Sequence, residues 1–205
     1  MDTVGQSSYD KFIKWYLKRE KREKPDDNPC RVPWLARNRR EFMRQRHSGK
    51  LKDWFENANW SIVRITQDEF DRLIPIEDCW TKKVGLTDWS RGANYRLLRN
   101  VAYTAIRKIK SGEISLDCDQ MSGYRKYYPR LKHGHMHLEG NDRIVLRSLE
   151  DDERFGNPEG KPPGNPRGLF YLHDGWGRSL PYQMLLKEQA LQYTPVEAFL
   201  ACRRA

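Results

Sequence analysis

The sequence predicts an α+β fold: a small mixed β-sheet packed by helices, with a basic helical extension at the N-terminus. Three observations lead to it. Short apolar runs rich in β-branched or aromatic residues stand at 60–65, 143–149 and 168–172, with the length and composition of strands. Helix-forming stretches at 94–111 and 179–191 interleave with and follow them. The basic excess is uneven: residues 1–50 hold 14 Lys/Arg against 7 acids, while residues 51–100 balance at 8 against 8. The compact α+β domain is therefore expected over 60–205, and residues 1–59 as a basic helical extension.

Composition sets the functional frame. The 205 residues suffice for one substantial domain, and seven Trp, ten Tyr and seven Phe supply material for its core. The 38 Lys/Arg against 28 Asp/Glu leave a formal charge of +10, which points to nucleic acid or another anionic partner. Cys30, Cys79, Cys118 and Cys202 are scattered, with no Cys-x-x-Cys pair and no disulfide framework. No apolar leader or long apolar run is present, so a cytoplasmic protein without a membrane partner is expected.

Along the chain, Ser8 can cap a helix whose Tyr9, Phe12, Ile13, Tyr16 and Leu17 share one face. Lys11, Lys14 and Lys18 lie on its basic side, suited to phosphate, while the aromatic face is suited to docking on protein. A second basic helix is expected over Arg37–Arg46, with Arg39, Arg40 and Arg44 as further nucleic-acid contacts. Thr66 and Glu69 form a capping box that opens a short helix closed by Pro75. The stretch 76–91 reads as a loop holding Trp80, Trp89 and the adjacent carboxylates Glu77 and Asp78. The 94–111 helix aligns Tyr95, Leu98, Val101, Ala102, Ala105, Ile106 and Ile109 and stops at Gly112, with Arg107, Lys108 and Lys110 in its last turn. Residues 124–130 interleave tyrosines with bases, a composition that fits base stacking or an aromatic satellite of the core. A Gly/Pro-rich loop is expected over Asp151–Gly168. Thr194, Pro195 and Glu197 match a second capping box, so the chain is expected to end in a helix.

The segment 168–186 is the most informative. The expected strand leads into His173, Asp174, Gly175, Trp176, Gly177 and Arg178; Ser179 can N-cap the following helix and Pro181 falls in its first turn. A strand, a glycine turn and a helix N-terminus bring free backbone N–H groups and the positive end of the helix onto an anion. Glycines allow close backbone approach, and Arg178 can add a bidentate fork. The alternative is a tight strand-to-helix turn with Arg178 on the surface.

Strand, Asp-Gly-x-x-Arg and helix, here Tyr171 to Arg178, resembles the signature of the ParB/sulfiredoxin-like superfamily, over the last quarter of the chain. Its members include partition CTPases, nucleotide-dependent kinases and reductases, and nucleases. The resemblance implies a nucleotide-phosphate site at Gly175, Gly177, Arg178 and Ser179, with ATP or CTP as ligand. Where many members carry a basic residue or histidine before the arginine, this chain has Gly177.

Three functions follow as expectations. The first is a ParB/sulfiredoxin-like nucleotide-dependent phosphotransferase or nuclease acting on or recruited to DNA or RNA, with His173 or Asp174 nearest for proton transfer or metal contact. The second is a non-catalytic nucleic-acid-binding protein whose turn grips a backbone phosphate. The third is a metal-dependent enzyme: if 133–137 is extended, His133, His135 and His137 share one strand face about 7 Å apart and can hold a divalent metal, completed by Glu139 or His173.

Overall fold

The computed structural model describes residues 1–23, 50–75, 97–117, 121–148 and 170–203. Its elements are β1 (Asp2–Gln6), α1 (Tyr9–Glu23), α2 (Lys50–Asn57), β2 (Asn59–Ile65), α3 (Gln67–Asp71), β3 (Ile74–Pro75), α4 (Leu98–Lys110) and α5 (Ser122–Lys132). A 3-10 turn (Gly140–Asp142), β4 (Ile144–Ser148), β5 (Phe170–Asp174), α6 (Trp176–Lys187) and β6 (Val196–Cys202) follow. The fold is α+β, as expected. The six strands form one mixed sheet in the order β1-β2-β6-β4-β5-β3, with β6 parallel to β4, β3 parallel to β5, and the other pairs antiparallel.

Alternation along the strands divides the core into two layers. Val63, Ile65, Ile144, Leu146, Leu172, Val196, Ala198 and Leu200 face one way, against Phe70, Leu98, Tyr127, Leu131, Tyr182 and Leu185 of α3 to α6. Trp60, Val145, Phe199 and Ala201 face the other way, against Phe12, Ile13 and Tyr16 of α1 and Phe55 of α2. The central strands are covered on both faces and mostly apolar, with Arg147, Ser148 and Glu197 as buried exceptions: β4 is buried along its whole length, and β6 everywhere but its last residue.

Several local readings hold. The Ser8 hydroxyl accepts from the Lys11 N–H at 3.2 Å at the start of α1. The Thr66/Glu69 capping box is made in both directions. In α4, Leu98, Val101, Ala102 and Ala105 are buried as expected, and Gly112 follows with φ +76°.

Other readings are corrected. The expected C-terminal helix is β6. Thr194 caps nothing: its N–H donates to the Tyr182 hydroxyl at 2.8 Å, and that hydroxyl donates to the Thr194 carbonyl at 3.0 Å, which pins the entry to the strand. α6 begins at Trp176 with Gly175 as N-cap, so Ser179 lies within the helix and is not its cap. Residues 2–6, read as part of the extension, add an edge strand beside β2. No division of the sheet falls at residue 59/60, because β1 and β2 pair across it and α1 lies on the face built by β2, β4 and β6. The expected Arg37–Arg46 helix, the stretch with Glu77, Asp78, Trp80 and Trp89, the 151–168 loop, and Arg39, Arg40 and Arg44 lie outside the described residues.

α1 is docked by aromatic packing. The Phe12 ring stacks on Trp60 at 4.6 Å and 13° and meets Phe199 edge-on at 5.8 Å. Truncating a fully buried Phe costs about 3–5 kcal/mol. Phe12→Ala is therefore expected to lower the unfolding free energy of the whole protein by that amount in urea titration. A helix attached only as an arm would leave the transition unmoved.

Candidate functional site: the Asp174–Arg178 turn

The turn stands where β5 passes into α6, beside the start of β4. Gly175 has φ +100°, a conformation that L side chains rarely adopt, and a Cβ there would meet Ile144 Cγ2 at 2.7 Å. It would also lie 3.1 Å from Arg178 Nη2, because that guanidinium folds back over the glycine. Gly177 serves a different purpose from the one its sequence context suggests. It sits in the first turn of α6 against Gly123 of α5, where an added Cβ on Gly123 would stand 3.2 Å from Gly177 Cα. The pair lets two helix backbones touch.

Arg178 is not a surface arginine. Its side chain is buried, Nη2 donates to the Arg143 carbonyl at 3.1 Å, and the same nitrogen lies 3.9 Å from Asp174 Oδ2. A second buried guanidinium reaches that carboxylate from α1: Arg19 Nη1 donates to Asp174 Oδ2 at 2.6 Å. Arg19 is seated over the rings of Trp15 at 4.9 Å and Tyr16 at 4.6 Å, four and three residues earlier on the same helix. Asp174 is thus shared between α1 and α6. Desolvation pushes its pKa up, but the Arg19 and Arg178 guanidiniums outweigh burial and hold the carboxyl well below the usual carboxylate range. A carboxylate paired to two guanidiniums and held ionised near neutrality is placed as an anchor rather than as a proton-transfer group.

A second cluster extends the first. Glu197 on β6 accepts from Arg143 Nε at 2.8 Å and from Arg64 Nη2 at 3.2 Å, and also from the Gly140 N–H at 3.2 Å. Burial raises the Glu197 pKa, yet the Gly140 N–H and Arg143 prevail and keep it lowered. Trp15 Nε1 donates to the Gly140 carbonyl at 3.1 Å, and Arg22 pairs with Asp142. The 140–142 turn therefore ties α1 to the sheet beside the Asp174 network.

The remaining expected site residues separate. His173 is half-buried with its ring edge-on to Phe55 at 4.7 Å, in the layer under α2. Ser179 is fully buried, its hydroxyl without a hydrogen-bond partner among the described residues. His133, His135 and His137 do not form a strand face. His133 is the C-cap of α5 and Gly134 follows at φ +70°. The His135 N–H returns to the Arg130 carbonyl and the Gly134 N–H to that of Leu131, which makes the segment a helix-ending turn. All three histidines are exposed, with the His133 and His135 rings 6.2 Å apart. Among the described residues no group of three or more His, Cys, Asp or Glu side chains is placed to hold a metal ion.

No protein-family model, curated protein or solved structure matches the chain. Function must be argued from its own residues. Among the described residues, no helix is long and apolar enough to cross a membrane. The residues that sequence reasoning missed are Arg19, Arg143, Glu197 and Gly123. Only Arg19 carried a signal, the Trp-Tyr-x-x-Arg spacing that places a guanidinium over aromatic rings.

Two variants probe the network. Asp174→Asn leaves Arg19 and Arg178 without their shared counter-charge, a loss of about 3–5 kcal/mol for a broken buried pair. Because the folded-state pKa is depressed, the wild-type advantage is complete above the unfolded carboxyl value near 3.8 and fades as pH falls below it. Urea titrations of the two proteins are therefore expected to differ most near neutrality and to converge in acid. Arg178→Ala, which a surface role would leave as stable as wild type, is expected to unfold at clearly lower urea.

Proposed function

We propose that this protein binds nucleic acid without catalysis, through cations displayed on its helices. The observation that carries the reading is the set of exposed cations on α4 and α5, two helices without an acid. Glu69, Asp71, Asp142, Asp174 and Glu197 are each engaged by a cation of the protein. Lys11, Lys14 and Lys18 on α1, Arg99, Arg107 and Lys110 on α4, and Arg130 and Lys132 on α5 are exposed with no ion-pair partner among the described residues. Neither α4 nor α5 contains an acidic residue. Such cations displace condensed counterions from a phosphate backbone, which supplies affinity independent of sequence.

The turn fits this reading as the joint that holds α1 and α6 in place, rather than as the grip on phosphate. The ParB/sulfiredoxin-like reading, a nucleotide-dependent enzyme using ATP or CTP, is favoured by one observation: α6 starts with Gly175 and Gly177 directly after β5. A nucleotide phosphate there would have to compete with Asp174 for Arg178. Isothermal titration with ATP and CTP tests this second reading, and absence of binding to either would discard it.

For the first reading, affinity for DNA and RNA is to be measured against salt. Replacing Lys11, Lys14 and Lys18 together with alanine is expected to weaken binding to duplex DNA and reduce the slope of log K against log salt by roughly 2–3. An intact protein that binds neither DNA nor RNA at low salt would overturn it.

A further inference from the structure

The outer side of α4 combines exposed cations with one open aromatic ring. Arg99, Tyr103 and Arg107 recur at four-residue steps, which places successive side chains about 6 Å apart along the helix and on one side of it. Lys110 continues the row three residues on. Leu98, Val101, Ala102 and Ala105, on the other side, hold the helix in the core. Tyr103 is 66% exposed, the most exposed of the large hydrophobic residues among those described. No ring, hydrogen-bond partner or ion pair engages Tyr103, Arg99 or Arg107 through its side chain among the described residues.

The other tyrosines near basic residues are consumed by the fold. Tyr127 is buried, and Tyr124 and Tyr128 lie against each other at 4.6 Å. The Tyr128 hydroxyl donates to Glu188 at 2.9 Å. The 124–130 segment is thus a satellite of the core, and among the described residues the ring left open among bases is Tyr103.

We infer that Arg99, Tyr103 and Arg107 form a binding platform for single-stranded nucleic acid, with a base stacked on Tyr103 and the flanking phosphates on the two arginines. The inference rests on the nucleic-acid reading above and narrows its substrate class. An exposed aromatic face takes any base, because every base presents a π-face, and the arginines supply the charge that the backbone requires. Duplex bases keep their faces covered by their neighbours, so a duplex meets only the arginines. The absence of any acid on α4 removes the repulsion that a backbone lying along it would otherwise meet.

The test compares the full-length protein with Tyr103→Ala, Tyr103→Phe and the double variant Arg99→Ala/Arg107→Ala. Binding is measured by fluorescence anisotropy to labelled oligo(dT), to oligo(rU) and to a DNA duplex of equal length. Because Tyr103 is outside the core, the thermal midpoint should not move. Tyr103→Ala is expected to weaken binding to the single strands by about 5- to 150-fold, the range for removal of one stacked aromatic. Tyr103→Phe is expected to restore it, and duplex affinity to stay within about twofold throughout the tyrosine series. The arginine pair should lower affinity for single strands and duplex alike. If wild type binds the duplex and Tyr103→Ala leaves single-strand binding unchanged, the platform is wrong and the nucleic-acid reading stands. Equal loss on duplex and single strands would also overturn it, as would a Tyr103 variant that loses only self-association in sedimentation, which marks a protein interface. If wild type binds no nucleic acid, both readings fall together.

Discussion

The Asp174 carboxylate is the point on which this architecture depends. It ends β5, precedes the left-handed glycine that starts α6, and is met by one guanidinium from α6 and another from α1, a helix 155 residues earlier in the chain. Ions this poorly hydrated are tolerated only when their charges are matched and their hydrogen bonds directed. The local fold supplies both conditions. Arg178 also holds the Arg143 carbonyl at the entrance to β4, and Arg143 in turn holds Glu197 on β6. The ionic groups therefore run across the sheet, from the helix on one face to the helices on the other. They fix relative positions that apolar packing alone leaves free to slide.

This arrangement gives the basic chain a division of labour. Its arginines include several that are internal, seated over aromatic rings or paired with buried acids: Arg19 on Trp15 and Tyr16, Arg143 over Phe199, Arg147 over Tyr171. Planar and weakly hydrated, guanidinium suits such places better than ammonium does. The lysines of α1 named above stay in water. Net charge read from composition thus mixes two populations, and only the outer one is offered to a partner.

What could be read from the sequence was what is encoded locally. The Thr66/Glu69 box, the apolar stripe of α4 and the β-branched run of β2 each involve neighbours within one turn or one strand. β6 was misread because Thr-Pro-Val-Glu satisfies a helix-start pattern, and a strand buried on both faces has no alternation to contradict it. β1 escaped notice because Asp2, Thr3, Gly5 and Gln6 are polar or small and lie at an edge where little is buried. In the turn, Gly177 and Ser179 look like punctuation. They lie within the helix because Gly175 is its N-cap, and Gly177 is small where α5 brings Gly123 against it, a contact invisible in either segment alone. The burial of Arg178 was hidden for the same reason: its partners include the backbone carbonyl just before β4 and a carboxylate whose other cation comes from the far end of the chain.

The place of β6 has a consequence for how the protein is made. The last of the described strands sits third in the sheet, antiparallel to β2 on one side and parallel to β4 on the other. Until residues 196–202 have been synthesised, the β1–β2 pair and the β4, β5 and β3 group have no strand between them and each presents an unpaired apolar edge. Closure must bring together segments more than 130 residues apart, which favours slow, late formation of the sheet. Residues 196–202 are therefore the joint through which both parts of the sheet become one.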